Sequence, residues 1–552
     1  MTVATAPSAP PLTAATLAAL RAAVGDEHVL TDEAGLAAYS RCTIPWYARC
    51  GAVVLPGSTE EVARVVRIAN EAGLPVWPFS GGRNWGYGGT LATEPGAIVL
   101  LLRRMNRIVQ VDDTLAYAVI EPGVSYRQLS EHLRQGGHRL WPDCIDGTPD
   151  GSVIGNALDR GIGETPYGDH FGNLCGLEVV LPNGDVVTTG GGGAEVRTFH
   201  LHKWGVGPYV EGLFSQSNLG IVTRAGVWLM PEPECFNSFV FELRDDRSFE
   251  QVVDAFRTLA LQGVLTSKLH MINDIVSMTV VTQRVREGVT HDRAMTEDER
   301  RAIRRKYGIA AWNCAGGLYG SASSVAGQRR ALRRALGRYG RLVFVSDRLA
   351  GTLEAMLPLA WRHAPVRWLV ELGARTSLTV INSFPHVHRI LKGIPTDYFL
   401  KHAYFRNRRE RPDADVDPAR DRCGLLWFAP ILPNVGSEVR AYADACRVRF
   451  ERAGFDFYVA MLMMNPRSVI CLMNVNFDHD AAAEAERARA LYAELMDDMR
   501  ARGYAQYRSA LPGWPPATEG EVAAQRLLGR VKRALDPRGV LAPGRYGVDG
   551  RG

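Results

Sequence analysis

Residues 80–89 read Ser-Gly-Gly-Arg-Asn-Trp-Gly-Tyr-Gly-Gly, five glycines in ten positions. Without a Cβ, Gly81, Gly82, Gly86, Gly88 and Gly89 let the backbone take positive φ and approach a ligand closely. Successive N–H groups in such a turn form a concave anion site into which a pyrophosphate fits. The turn has neither GxGxxG followed by a helix nor GxxxxGK[ST], so a Rossmann or P-loop nucleotide site is not supported. Read alone, a Gly-rich turn is more often only a turn. Nine cysteines stand singly, with no CxxC pair and no Cys/His spacing suited to zinc, so no metal centre is expected.

The elements around this turn follow an α+β pattern. Short apolar runs such as residues 52–55, 97–101 and 177–181 alternate with helical stretches and Gly-rich turns up to about Pro231. The clearest helix starts at Ser58, with Glu61 three residues on as a capping box. Val62, Val65, Val66 and Ala69 share one of its faces, and Gly73 stops it. From about Glu232 to Met499 the texture changes to long Arg/Ala/Glu helices, such as 248–262 and 437–454, between strand-like runs at 342–345 and 469–475. The tail returns to Gly/Pro punctuation, ending in residues 535–545, Leu-Asp-Pro-Arg-Gly-Val-Leu-Ala-Pro-Gly-Arg.

The chain of 552 residues is 46% hydrophobic, enough for a large core and for two or more domains. Its net charge of +5 is spread thinly, and the basic clusters at 103–104, 300–305 and 406–409 read as solvated helix faces, not a nucleic-acid footprint. An odd cysteine count argues against a complete disulfide framework and for a reduced cytoplasm. Residues 1–16, rich in Ala, Pro and Thr, read as a disordered lead-in, with neither a basic start nor an apolar h-region. No run of 18 apolar residues suggests a membrane span.

Order along the chain carries more than any single motif. The capped helix, the Gly-rich loop, Val119-Ile120-Glu121-Pro122-Gly123, Gly151-Ser152-Val153-Ile154-Gly155-Asn156 and Ser217-Asn218-Leu219-Gly220-Ile221-Val222 form a set that resembles flavoproteins of the vanillyl-alcohol oxidase superfamily. Four segments, residues 82–89, Thr165-Pro166-Tyr167-Gly168-Asp169-His170, Gly205-Val206-Gly207-Pro208-Tyr209 and Tyr504-Ala505-Gln506-Tyr507-Arg508, are similar to the 4-alkylphenol-oxidising branch that includes vanillyl-alcohol oxidase and p-cresol methylhydroxylase.

The resemblance implies an α+β FAD domain from residues 17–235 and 500–552, with an α+β substrate cap at 236–499. Weaker matches at Trp312-Asn313, 317–320, 393–396 and 427–430 suit that cap, where Met461, Met463 and Met464 read as core. FAD would lie against Pro78, Ser80, Gly81, Gly82, Arg83, Asn84, Trp85, Gly86, Gly151, Ser152, Asn156, Gly163, Thr165, Gly168, Gly220, Ile221, Val222, Arg508 and Arg545. Tyr87, Tyr507 and Arg508 would hold the substrate's phenolate oxygen, with Asp169 near the reacting carbon. A phenolate can push hydride off its benzylic carbon and leave a p-quinone methide, and a charged hydrogen bond stabilises that phenolate. Asp169 could then serve as base for water adding to the methide.

Two departures stand out. Where relatives link the flavin to histidine or tyrosine, the cap strand reads Asn465-Pro466-Arg467-Ser468, and the aligned Ser468, Val469 or Ile470 cannot form that link. Dissociable FAD is therefore expected, with His479 read as a turn residue. Gln506 stands where a carboxylate is common, which would alter pocket polarity. An oxidase using molecular oxygen, working as a homodimer, is the favoured expectation. A dehydrogenase serving an electron carrier, a biosynthetic enzyme for a larger phenolic product and a non-catalytic flavin protein stay open as alternatives.

Overall fold

The computed structural model describes residues 9–190, 193–243, 245–509 and 519–548. The helix that begins after Ser58 spans Thr59–Ala72. Ser58 Oγ accepts from Glu61 N at 3.3 Å, and Glu61 Oε2 accepts from Gly57 N at 2.7 Å, one residue further back than in a capping box. Gly73 ends the helix at φ 65°. Its Val62–Val65–Val66–Ala69 stripe packs on Val54, Val76, Ile98 and Leu100.

Those partners belong to a four-stranded sheet ordered Val29–Leu30, Ala52–Val54, Ile98–Leu101, Val76–Phe79, whose last three strands are parallel. Alternate residues Val53, Trp77, Val99 and Leu101 fill a second core on the other face, so these strands are apolar throughout. The Gly-rich loop leaves the carboxyl end of Val76–Phe79, the edge of a parallel sheet where ligands commonly bind. A second, antiparallel sheet runs Ile108–Asp112, Tyr117–Ile120, Ile221–Trp228, Leu174–Val180, Val186–Thr188.

The cap is a nine-stranded antiparallel sheet. Its path is Gly340–Ser346, Cys235–Leu243, Trp312–Gly320, Leu269–Asn273, Tyr458–Asn465, Ser468–Asp478, Pro430–Pro433, Ala505–Gln506, with Cys423–Phe428 also on Ser468–Asp478. Helices Phe249–Leu261, Gly436–Arg452 and Ala482–Ala501 bury Phe256, Val439 and Leu495 in the large core on one face. Its last strand reaches Gln506, past residue 499, so the cap itself delivers Tyr507 and Arg508.

The tail then rejoins the first sheet: Leu541 bridges Val76, and Ala542 N donates to Val76 O at 2.8 Å. A fully buried Lys532–Asp536 pair at 2.7 Å shapes this return. Lys532 Nζ donates to Asn218 O and Leu541 O, each at 2.7 Å, while Asp536 accepts from Val540 N and Leu541 N.

Two expectations are corrected. Residues 1–8 lie outside the described residues, but the lead-in to residue 16 is not structureless: Thr13 caps a helix Ala14–Val24, and Ala9 N donates to Pro95 O. The basic cluster at 406–409 is a solvated face only in part, because Arg406 is buried and pairs with Glu484 at 3.3 Å, while Arg408 and Arg409 are exposed. No described helix is long and apolar enough to cross a membrane.

Candidate active site

The Gly-rich loop forms one wall of a long cleft with about 1060 Å³ of empty space. Gly82 sits at φ 70°, and a Cβ there would lie 2.4 Å from Thr90 Cγ2. Gly86, at φ 79°, is pressed against Trp427, 2.2 Å from where its Cβ would be. Among the described residues, the N–H groups of Gly81, Gly82, Arg83 and Asn84 meet no acceptor, which leaves a run of donors free to serve an anion. Opposite them, Ser152 caps the short helix Val153–Leu158 through Gly155 N and donates to Pro122 O at 2.5 Å, which joins two of the sequence motifs. Donors on one side, a glycine-lined wall and apolar Ile221 and Val222 below suit an extended dinucleotide.

Pro78, Ser80, Gly81, Gly82, Arg83, Asn84, Gly151, Ser152, Asn156, Gly220, Ile221, Val222, Arg508 and Arg545 all line this cleft. Trp85, Gly86, Gly163, Thr165 and Gly168 do not. Trp85 is buried with Leu400 and Tyr404, where it anchors the loop to the cap.

At the inner end of the cleft, Arg508 is buried. Its Nε donates to Asp159 O at 2.9 Å, and Nη1 lies 3.5 Å from Asn84 Oδ1. Its Cζ stands 4.9 Å from the Tyr87 ring centre and 5.3 Å from that of Tyr507. Nη2 of Arg508 and the hydroxyl of Tyr87 are buried and meet no partner among the described residues. Burial pushes the Tyr87 hydroxyl well up from its ordinary range, against the pull of Arg508. Burial also opposes the charge on Arg508, but Tyr507, Asp159 and Tyr87 more than offset it, so the guanidinium stays charged. The Tyr507 hydroxyl is already spent, donating to Arg160 O.

The loop at 163–170 is fixed from below. Asp143 Oδ1 accepts from Glu164 N and Thr165 N at 3.1 and 3.0 Å, and its Oδ2 meets His170 Nε2 at 3.0 Å. His170 Nδ1 in turn contacts Asn156 Oδ1 and Tyr126 Oη. Asp169 is exposed on this loop and accepts at 2.9 Å from Gly172 N, inside the turn Phe171–Asn173. Its charge is felt by Tyr507, Lys203 and Lys268.

Several contributors were not singled out in the sequence. Asp159 holds Asn84 and Tyr546 beside Arg508, and its place directly after the Gly155-Asn156 motif was the available signal. Lys268, which donates to Met464 O at 3.1 Å and packs on Gly168, carries no motif at all. Gln506 does not face the pocket: its Oε1 accepts from Ala429 N and its Nε2 points to Met496. Met461 and Met463 are core, whereas Met464 packs towards Tyr507. Ser468 closes the hairpin opposite Asn465, and Ile470 turns to the Tyr507 side. His479, at the far end of that strand, contacts Ile44 O at 3.2 Å.

This cleft, its donor run and its cap define an FAD-dependent oxidoreductase. Residues 51–190 match the FAD binding domain family. The chain is 37% identical to the 1'-carboxy-chondrochloren decarboxylase of Chondromyces crocatus, covering 96% of each protein. It is 30% identical to the 4-cresol dehydrogenase [hydroxylating] flavoprotein subunit of Pseudomonas putida, over 96% of this chain and 94% of that one. The fold superposes on 4-ethylphenol oxidase from Gulosibacter chungangensis, solved with isoeugenol, with a TM-score of 0.86, 27% identity and coverage of 98% and 99%. The chain belongs to the vanillyl-alcohol oxidase and p-cresol methylhydroxylase family of flavoproteins, and it binds FAD.

Proposed function

We propose that the protein oxidises para-substituted phenols at the benzylic carbon, with oxygen reoxidising the flavin. The observation that carries this reading is a pair of buried donors without a partner among the described residues, Arg508 Nη2 and the Tyr87 hydroxyl, on side chains that pack together with Arg508 Cζ 4.9 Å from the Tyr87 ring centre. A phenolate oxygen between them would receive one charged and one neutral hydrogen bond, the arrangement that stabilises an oxyanion. Tyr507 joins them only if its proton leaves Arg160 O. Bound in the cleft, FAD supplies a two-electron acceptor for hydride. With the oxygen fixed at Arg508, the ring presents its para carbon to the other side, and Asp169 accepts a proton from water that adds to the p-quinone methide. On the same reading the FAD is dissociable, and the enzyme works as a cytoplasmic homodimer, in keeping with nine free cysteines.

Anaerobic mixing of the FAD-loaded protein with 4-ethylphenol and 4-hydroxybenzyl alcohols tests it. Bleaching of the oxidised flavin, then fast recolouring in air with peroxide release, is the expected result. Bleaching with slow recolouring would make the protein a dehydrogenase, and no bleaching with any phenol would overturn the reading.

A second reading follows from the 37% identity to a decarboxylase. If the substrate carries a carboxylate on the carbon next to the benzylic one, the C–CO₂ bond can break after hydride leaves. Its electron pair restores the phenolate, carbon dioxide departs and an alkene remains. Lys268, beside Asp169, offers a cation to such a carboxylate. Release of carbon dioxide in step with flavin reduction would establish this route.

A further inference from the structure

Beneath the cap sheet lies a second, partly open space that the proposed oxidation does not use. On the face turned to the cofactor domain, strand register sets Ile470, Leu462, His270, Ala315 and Val240 in one row across five neighbouring strands. At one end, Leu462 and Ile470 pack with Ile162 and Tyr507, beside the phenol pocket. At the other, Ala315 and Val240 join Ile272, Val280, Phe384 and Val387 around a chamber with about 1140 Å³ of empty space. From Leu462 to Ala315 is two strand spacings, ~10 Å. The two spaces lie close along the chain as well, since Ile162 packs with Tyr507 while Glu164, two residues on, lines the chamber. Likewise Ile145 lines the cofactor cleft and Asp146 the chamber.

Glu164, His270 and Asp146 stand together in the chamber wall, and among the described residues no lysine or arginine lines it. Their ligand atoms lie within 4.8 Å of one another. The Glu164 side chain is only 5% exposed, and its Oε2 is 3.2 Å from His270 Nε2. That nitrogen completes no hydrogen bond among the described residues. A buried carboxyl and imidazole held this way are costly unless a ligand brings a donor. The rest of the wall is mostly aliphatic or aromatic, with Glu242, Ser277, Asn313, Ser383 and His402 as further polar groups, and it suits an apolar chain.

We propose that this chamber receives the outer part of the para substituent, so that the substrate class is a phenol bearing an aliphatic tail and, near Glu164 and His270, an N–H or O–H donor. The inference rests on the phenol reading of Arg508 and Tyr87 and assigns the remainder of the molecule. It makes Glu164 and His270 specificity residues rather than catalytic ones.

The test uses the FAD-loaded full chain and a series from 4-ethylphenol to 4-decylphenol, read by calorimetric binding and by anaerobic flavin reduction. Affinity should climb ~2- to 4-fold per methylene entering the chamber and then level off. Val387→Trp, or Val280→Phe if the first does not fold, should remove the climb while 4-ethylphenol is bound and oxidised as before. Glu164→Ala should weaken a tail with an internal secondary amide ~10-fold and leave plain alkylphenols alone. A flat series, or a climb indifferent to both filling variants, overturns the proposal. If no phenol reduces the flavin, the oxidation reading fails, yet calorimetric binding of 4-octylphenol and its loss in Val387→Trp still decide the chamber. Zinc bound by the wild type but not by Glu164→Ala, and not displaced by 4-octylphenol, would overturn it in favour of a metal site.

Discussion

The guanidinium of Arg508 stands 4.9 Å from the centre of the Tyr87 ring, and each residue keeps one buried donor atom without a partner among the described residues. The two come from opposite ends of the chain. Tyr87 rides on the Gly-rich loop after the strand Val76–Phe79, and Arg508 follows the last cap strand, Ala505–Gln506. The pocket therefore exists only when the cap is seated on the cofactor domain.

Arg508→Ala should slow phenol-driven flavin reduction ~10²- to 10³-fold, the usual effect of removing one oxyanion donor. Arg508→Lys should recover only part of the rate, because an ammonium cannot hold Asp159 O, Asn84 and the substrate with a planar fork. Stopped-flow reduction with 4-ethylphenol measures both, and an unchanged rate in the alanine variant would remove Arg508 from the site.

Tyr87→Phe separates binding from folding. Its hydroxyl has no partner among the described residues to lose, so stability should hold or rise slightly, whereas phenol affinity should fall ~10-fold or more, the scale of a hydrogen bond to a charged oxygen. Thermal unfolding and titration with a phenol inhibitor give the two numbers. A loss of stability with unchanged affinity would mean that Tyr87 is a packing residue.

The same pair shows what was legible in the sequence. Local signals worked where the physics is local: the Ser58 cap, the Gly73 stop and the glycines of the cofactor loop depend on neighbours a few residues away. Tyr87, Arg508 and the cofactor family came from ordered motifs. What stayed hidden was set by contacts distant in sequence. Nothing near Gln506 announces that its side chain is taken by Ala429 N and Met496, and nothing near Arg406 announces Glu484. His270 likewise sits on a strand with no motif, and only the register places it beside Leu462.

Lys532→Met should destabilise the C-terminal return by ~3–5 kcal/mol, because Asp536 would remain buried without its cation. Asn218 and Leu541 would lose a donor with it, so FAD affinity should drop through displacement of Arg545. Urea unfolding alongside FAD titration checks this, and intact FAD binding in an otherwise destabilised variant would disconnect the return from the cofactor cleft.

Acid precipitation should leave a colourless pellet and a yellow supernatant, since Ser468, Val469 and Ile470 offer no imidazole or phenol to the flavin. A yellow pellet would locate a link at an unexpected residue, and peptide mapping would name it.

Glu164→Gln should stabilise the protein more as pH rises. Burial, reinforced by Asp146 and Asp143, holds the Glu164 carboxyl well above the ordinary range. The folded state thus binds its proton more tightly than the unfolded chain does. Below the unfolded value, about 4.3, this carboxyl costs nothing. As pH climbs from there towards the folded value, the unfolded state ionises first and stability is lost, whereas glutamine loses none. His270, whose proton affinity burial lowers, titrates in the opposite sense and works against the fold in acid. The comparison is therefore made in a His270→Gln background. The melting temperatures of the two proteins should converge near pH 4 and separate towards neutrality, with the glutamine form higher. A difference that stays constant with pH would show that Glu164 is ionised in the folded protein and already matched by a cation.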